Sequence, residues 1–312
     1  MKKSKIYIVL PVFNWEKYIL EQLFSIYNQT YSKRKLIIID DCSVDWTSKL
    51  IKKFIKDYSL DKKVFLYKNE KNLWVNYTIE KGLKIIQKES KKDDFVAYCD
   101  ADDIRTRNKL EKQIEFMNET NCVISYHDLV TIDNLNNIIN KSYQLKLISP
   151  FCNTFSNNLF EFAMSQHVTS TTMMFKADKI DDLLPFSNAI YQDHWTILVF
   201  SILYPNKIKY LNEKMVFYRR HLWSASLKSK DKKEKIQKII NLLEDAYKLT
   251  NKKDIKKYIN IYKIKLWNTN NHLSSILTII QIFLKYPFIG LKISTKIMSY
   301  PMRKLYWFFY YS

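Results

Sequence analysis

Glycine is almost missing from this chain: Gly82 and Gly290 are the only two in 312 residues. A P-loop or a G-x-G-x-x-G turn needs several glycines, because the backbone must approach phosphate closely. Neither can be present, so any nucleotide must be held by carboxylates, a metal and basic side chains. Cysteine is scarce as well. Cys42, Cys99, Cys122 and Cys152 lie far apart, with no C-x-x-C and no paired Cys/His spacing. That pattern argues against zinc and a disulfide framework, and it fits a reducing compartment. No run of about 18 uncharged apolar residues occurs, which argues against a transmembrane helix. The apolar run Ile6–Val12 after Met1-Lys2-Lys3-Ser4-Lys5 is short, contains Pro11 and precedes no small-residue cleavage site. It reads as a first strand rather than a signal peptide.

Acidic residues are outnumbered, 31 against 51 Lys and Arg, for a formal charge of +20. Such an excess points to an anionic partner: nucleic acid, anionic lipid or a phosphorylated substrate. From Lys228 to Ser312 there are 18 basic and 5 acidic residues, so the last quarter holds +13 of the +20. With 47% hydrophobic and 15% aromatic residues the chain is a folded one, long enough for one large or two ordinary domains.

The stretch Phe95-Val96-Ala97-Tyr98-Cys99-Asp100-Ala101-Asp102-Asp103 organises the first half. A buried strand delivers three carboxylates in four residues, and alternation points Asp100 and Asp102 the same way. Crowded carboxylates repel unless a cation or donors hold them. Mn²⁺ or Mg²⁺ would, and such ions usually bring a phosphate. By itself the motif is more readily an acidic turn before a helix at Lys109–Asn118. The context changes that balance. Strands are expected at Ile6–Leu10, Leu36–Ile39, Val64–Tyr67 and Phe95–Cys99, alternating with helices at Ile19–Asn28, Thr47–Tyr58 (with Asp45 as N-cap) and Asn76–Gln87. Strand–helix alternation predicts a parallel sheet covered on both faces, with ligands beyond the carboxyl ends of its strands. Asn14, Asp41 and the Asp100/Asp102 pair all fall there.

Leu10-Pro11-Val12-Phe13-Asn14, Gln29-Thr30-Tyr31, Ile38-Ile39-Asp40-Asp41-Cys42-Ser43 and Cys99-Asp100-Ala101-Asp102-Asp103 recur in this order at suitable intervals. Together they resemble the N-terminal half of family-2 glycosyltransferases with the GT-A fold, over about residues 4–118. The resemblance implies an α/β, Rossmann-like, mostly parallel sheet. It implies a donor site of Pro11, Val12, Phe13, Asn14, Asp41, Asn72, Asp100, Ala101 and Asp102, with Asp100 and Asp102 on the ribose and the metal. Two glycines usual in the family are replaced, by Cys42 and by Trp74 in Asn72-Leu73-Trp74, and the Arg that often follows is missing near Ile79-Glu80.

Further on, Cys122–Tyr126 reads as a strand ending at His127 and Asp128, Ile132–Ser149 as a hairpin or variable loop, and Thr169–Phe175 as a β-prone run. Thr171 and Thr172 could face the sugar; the plainer reading of that run is an edge strand. Tyr191-Gln192-Asp193-His194-Trp195 opens an apolar helix to Leu203. An acid there is ordinarily a cap; the resemblance makes Asp193 the catalytic base, with His194 and Trp195 near the acceptor and Gln192 replacing a frequent Glu. Phe217-Tyr218-Arg219-Arg220-His221 and the following residues to Ser226 resemble the family loop that meets the donor diphosphate. This adds Arg219, Arg220 and His221 to the donor site and His221 to the metal ligands. The resemblance also implies inversion at the anomeric carbon and, among bacterial members, surface-polysaccharide or lipooligosaccharide synthesis with a rhamnosyl or hexosyl donor.

The expected organisation is a catalytic domain over 1–227, divided at 118/119, and a helical basic extension over 228–312, with Lys228–Lys238 as a solvated basic linker or helix face. Ile276, Leu277, Ile280, Phe283 and Leu284 form an apolar stripe. Lys292, Lys296, Arg303, Lys304 and Trp307 then suit either a cap packed on the core or a helix lying on an anionic membrane. The second reading places the protein in the cytoplasm, peripheral to the inner face of the plasma membrane, with a glycan or lipid-linked acceptor. Two rivals stay open. A nucleic-acid-binding protein would explain the charge, but its phosphates would meet the carboxylates, and no nucleic acid is expected. A non-catalytic sugar-nucleotide-binding scaffold is compatible with Cys42, Trp74 and Gln192.

Overall fold

The computed structural model describes residues 4–142, 159–164, 168–188, 192–221, 231–270, 281–282 and 284–286. Its centre is a nine-stranded mixed sheet: β1 (Ile6–Val12), β2 (Arg34–Asp40), β3 (Val64–Lys68), β4 (Phe95–Tyr98), β5 (Ile104–Arg105), β6 (Ile124–Ile132), β7 (Ile138–Asn140), β8 (Met174–Lys176) and β9 (Ile208–Arg219). The order is β3-β2-β1-β4-β8-β6-β9-β5, with β7 paired to β6. The strands β3, β2, β1 and β4 run parallel, as the strand–helix alternation predicts. Then β8 enters antiparallel between β4 and β6.

Alternating side chains of the parallel strands feed two separate cores. Ile6, Ile8, Leu10, Leu36, Ile38, Phe95 and Ala97 pack on one face against α1 (Ile19–Tyr27), α2 (Thr47–Asp57) and α4 (Lys109–Thr120). Tyr7, Val9, Ile37, Ile39, Val96 and Tyr98 face the other way, onto α3 (Trp74–Gln87). Period-two burial on both faces is why these strands read as continuous apolar runs. Gly82 sits where α3 crosses β1: a Cβ there would lie 2.5 Å from Val9 Cγ2. Elsewhere the chain makes its left-handed turns without glycine. Eight non-glycine residues among those described have positive φ, five of them asparagines: Asn14, Asn121, Asn136, Asn206 and Asn251. Asparagine is the side chain that best tolerates that conformation.

Several expectations are corrected. Asp45 is not the N-cap of α2; Trp46 is, and Asp45 Oδ1 accepts from the Thr47 amide at 2.9 Å from one residue upstream. His127 and Asp128 lie within β6 and are buried, not at a strand end. Ser170–Thr172 is a 3₁₀ turn, and the strand after it, β8, is interior rather than an edge. Phe217, Tyr218 and Arg219 belong to β9. The expected hairpin is present, β6 and β7 joined through an asparagine-rich turn.

The helices of the second half are α5 (Leu159–Met164), α6 (Gln192–Leu203), α7 (Lys232–Thr250) and α8 (Ile255–Asn270). Residues 232–238 are helix rather than linker: Asp231 caps α7 by accepting from the Lys233 amide at 2.8 Å. Ile236, Ile240, Leu243, Ala246, Ile255 and Tyr258 join the core that contains α6 and the β1–β4 face. Ser187 Oγ donates to Asp245 Oδ2 at 2.8 Å. Of the apolar stripe only Leu284 is described, and it is exposed. Cys152, Ile276, Leu277, Ile280, Phe283, Lys292, Lys296, Arg303, Lys304 and Trp307 lie outside the described residues. Among those described, no helix is long and apolar enough to cross a membrane, and Cys42, Cys99 and Cys122 are free.

Candidate active site

The carboxyl ends of β1, β2 and β4 open on one side of the sheet. Their loops are laced by side chains rather than by glycine turns. Asn14, with φ 58°, donates its amide to Ser43 Oγ at 3.0 Å and accepts from the Val44 amide at 3.0 Å. It thereby ties the loop after β1 to the loop after β2. Pro11 and Val12 are the last residues of β1, Val12 O accepts from the Asp41 amide at 2.8 Å, and Phe13 projects into solvent. Asp41 is buried, and its Oδ1 accepts from Asn69 Nδ2 and from the Leu73 amide, both at 2.8 Å. Asn72 is exposed and accepts from the Trp74 amide at 3.0 Å. Cys42 holds φ 69° and Trp74 φ 69°, so both residues that stand at usual glycine positions keep a glycine-like backbone.

At the end of β4, side chains from below fix the acidic turn. Gln22 Nε2 donates to Asp100 O at 2.5 Å, and Arg219 Nε to Asp102 O at 2.8 Å. Ala101 is buried between them. Ser170 Oγ donates to Asp100 Oδ2 at 2.7 Å, and His221 Nε2 meets Asp102 Oδ2 at 2.9 Å. His221 is itself held: its ring stacks on Tyr18 (5.7 Å, 25°) and meets the Trp15 ring edge-on (5.4 Å, 71°). Burial pushes the Asp100 carboxyl up to about 7; the Ser170 hydroxyl opposes this, and the charges of Asp102 and Asp193 add to it. Asp103 is raised too, by burial first and then by Asp102 and Asp100. These shifts place Asp100, Asp102 and Asp193 in one electrostatic neighbourhood.

Asp193 lies in the first turn of α6, 8% exposed, and accepts from the His194 amide at 2.7 Å. The residues beside it, His194 and Trp195, turn into the core. His194 is buried against α5, its Nε2 hydrogen-bonded to Phe162 O at 2.8 Å, and burial pushes its pKa down to about 4. Trp195 Nε1 donates to Leu183 O at 2.8 Å inside the core. Thr171 and Thr172 are buried in the 3₁₀ turn, with Thr172 Oγ1 on Thr169 O. Of these four residues, Thr172, His194 and Trp195 thus each make a hydrogen bond within the fold.

Arg219 also departs from expectation. It is 1% exposed, and besides Asp102 O it donates to Asp133 O (3.1 Å) and Asn136 Oδ1 (2.6 Å) and pairs with Glu21 Oε2 (2.6 Å), with Tyr18 4.6 Å from Cζ. Four of the five guanidinium protons are used within the fold. Arg219 braces the acidic loop. Arg220 is half-buried with its amide on Ile132 O at 2.9 Å.

No trio of His, Cys, Asp or Glu among the described residues is arranged to hold a metal. The chemistry of Asp102 and His221, a carboxylate oxygen beside an imidazole nitrogen, fits an ion that completes its shell with phosphate oxygens and water, as Mn²⁺ and Mg²⁺ do. A surface hollow of about 520 Å³ between α2 and β3 contains none of these groups.

Sequence reasoning missed Trp15, Tyr18, Glu21, Gln22 and Ser170. One signal was available: Gln22 and Ser25 interrupt the buried face of α1, and a buried amide on an apolar face requires a polar partner.

The mixed sheet, with an Asp-x-Asp turn after β4, Asp41 after β2 and Asp193 at the start of α6, matches the GT-A fold of glycosyltransferases. The chain belongs to glycosyl transferase family 2, whose model matches residues 7–184. It is 31% identical over 124 residues to Bacillus subtilis TuaG, named as a glycosyltransferase of teichuronic acid biosynthesis, covering 40% of this chain and 46% of that protein. It is 32% identical over 133 residues to an uncharacterized Haemophilus influenzae glycosyltransferase, covering 43% of this chain and 50% of that one. The matched segment thus spans half or less of these relatives' length. In fold it resembles S. aureus TarS 1–349 in complex with UDP-GlcNAc, with TM-score 0.61, 15% identity and coverage of 96% and 83%. It also resembles the Pyrobaculum calidifontis mannosyltransferase PcManGT in complex with GDP-Man and Mn²⁺, with TM-score 0.58, 12% identity and coverage of 99% and 84%.

Proposed function

We propose that the protein transfers a sugar, with inversion, from a nucleotide-sugar donor to a glycan hydroxyl. The observation that carries this reading is the cluster of Asp100, Asp102 and Asp193, close enough for the last two charges to raise the Asp100 carboxyl, at the end of the parallel strands from which the loops holding Asn14 and Asp41 also emerge. Asp41, Asn14, Pro11, Val12, Phe13 and Asn72 lie on the base side of the donor site. Asp102 and His221 would hold Mn²⁺ or Mg²⁺, which when bound neutralises charge on the leaving nucleoside diphosphate. Asp100, its carboxyl pushed up to about 7 by burial and accepting from Ser170 Oγ, suits contact with the ribose hydroxyls. Arg220 screens the diphosphate, while Arg219 and Gln22 fix the carbonyls of Asp102 and Asp100 so that the acidic turn is preorganised. Asp193 takes the proton of the attacking acceptor hydroxyl. One in-line displacement, with Asp193 as the single base on the acceptor side, is what the family resemblance implies.

The TuaG match supports a cell-surface glycan as product, carried on a glycan or lipid-linked acceptor and made at the anionic inner face of the cytoplasmic membrane, toward which the basic last quarter (+13) would be drawn. A catalytic unit over 1–227 with a helical basic extension over 228–312 is part of the same proposal. The experiment compares wild type with Asp193→Asn in nucleotide binding by calorimetry and in release of nucleoside diphosphate on adding acceptor. Transfer should fall by 10²-fold or more, roughly the range for losing a general base, with binding nearly unchanged. Loss of binding in Asp193→Asn would make Asp193 a structural cap.

A further inference from the structure

Trp74 carries a conformational cost without a packing reason. It holds φ 69° and is 78% exposed. A large L-residue in the left-handed region is strained, and such strain persists where the surrounding structure fixes it, often at ligand sites. The surroundings here are specific. The amide of the preceding residue, Leu73, donates to Asp41 Oδ1 at 2.8 Å, and the Trp74 amide is held by Asn72 Oδ1 at 3.0 Å. On the same loop Asn69 Nδ2 grips the same Asp41 oxygen, and Glu70 O accepts from Cys42 Sγ at 3.7 Å. The backbone that carries the indole is thus anchored one residue from the contact with the carboxylate at the end of β2. Strand order β3-β2-β1 puts the loop after β3 on one side of Asp41 and the loop after β1, with exposed Phe13, on the other.

We propose that Trp74 is a specificity-determining residue whose indole stacks on the face of the nucleotide base that Asp41 engages by its edge. The inference rests on the nucleotide-sugar reading above. A planar heteroaromatic between an exposed indole and a phenyl ring buries apolar faces that are otherwise wet, whatever hydrogen-bond pattern Asp41 reads. This also gives the chain a reason to keep tryptophan where glycine would relieve the backbone.

The test is calorimetric titration of the full chain with UDP, GDP, CDP and dTDP, each with Mn²⁺, using wild type, Trp74→Phe, Trp74→Ala and Trp74→Gly. Loss of one base–aromatic stack should weaken the best nucleotide about 5- to 100-fold in Trp74→Ala and Trp74→Gly. Trp74→Phe should recover most of that, and its nucleotide-induced tryptophan quenching should be smaller than that of wild type. Trp74→Gly should melt at or up to about 2 °C above wild type, since backbone strain is released and little packing is lost. Equal affinities in wild type, Trp74→Ala and Trp74→Gly would overturn the inference while leaving the nucleotide-sugar reading intact. No binding of any nucleotide by wild type would overturn both.

Discussion

The reassignment of Arg219 makes a prediction that separates a brace from a diphosphate ligand. Arg219→Ala removes four donated hydrogen bonds, two of them to the carbonyls of Asp102 and Asp133. The ion pair adds little by itself, because Glu21 is 42% exposed and solvent screens it. The larger effect is the buried acceptors left without donors and the lost contact with Tyr18. Together these amount to about 3–5 kcal/mol, a large part of the ~5–15 kcal/mol that holds a domain folded. Arg219→Lys is the informative variant, because one ammonium cannot span Asp102, Asn136 and Glu21; it should cost about 2 kcal/mol. Glu21→Gln should cost under about 1 kcal/mol. The assay is urea unfolding of the ligand-free protein, read as a lowered midpoint at constant slope. Unchanged ligand-free stability in Arg219→Lys, together with weaker nucleotide binding, would refute the brace and return Arg219 to the diphosphate.

Three further expectations follow from buried groups. His194 has a folded pKa near 4 against about 6.5 unfolded. The unfolded chain therefore takes the proton first, and this contribution is complete above about pH 6.5 and lost as pH falls toward 4, reaching roughly 3 kcal/mol. Asp100 and Asp103, raised by burial, slope the other way, so the measurement is the difference from His194→Gln, whose amide can still donate to Phe162 O. The gap between wild type and variant should narrow from pH 7.5 to 5, and a constant gap would contradict a buried neutral imidazole. Gly82→Ala should destabilise by about 1–2 kcal/mol, overpacking against Val9 outweighing the gain in helix propensity. In a Val9→Ala background the same change should be neutral or better, and equal costs in both backgrounds would show that α3 does not press on β1 there. Cys42→Gly, at φ 69°, should raise stability by up to about 1 kcal/mol, and a clear loss would mean that the Cys42 side chain is needed.

What the sequence made legible is what local chemistry encodes. β1, β2, β3 and β4 alternate apolar faces, and α1 to α4 carry periodic ones, so their ends fall within about two residues of expectation. That Asp100 and Asp193 come close enough for their charges to interact was legible through the ordered family motifs. The roles of neighbouring residues were not, because partners distant in sequence decide them. Arg219 points to Glu21 and Asn136, His194 to Phe162, and Trp195 to Leu183. Insertion of antiparallel β8 between β4 and β6 is likewise a long-range choice that a three-residue strand cannot announce. The shortage of glycine was visible, but its structural answer was not: asparagine serves at five turns, and Cys42 and Trp74 are strained at two positions close to Asp41.

The central claim is that the crevice at the strand ends binds a nucleotide-sugar together with a divalent ion held by Asp102 and His221. Its most direct test is a thermal-shift panel of UDP-, GDP-, CMP- and dTDP-sugars, each with Mn²⁺, Mg²⁺ or EDTA, on wild type and Asp102→Asn. Ligand binding to the folded state raises the melting temperature by mass action. The account predicts a shift for one nucleotide class that needs the metal and is lost in Asp102→Asn. A shift that survives both EDTA and Asp102→Asn, or no shift with any donor, would contradict it.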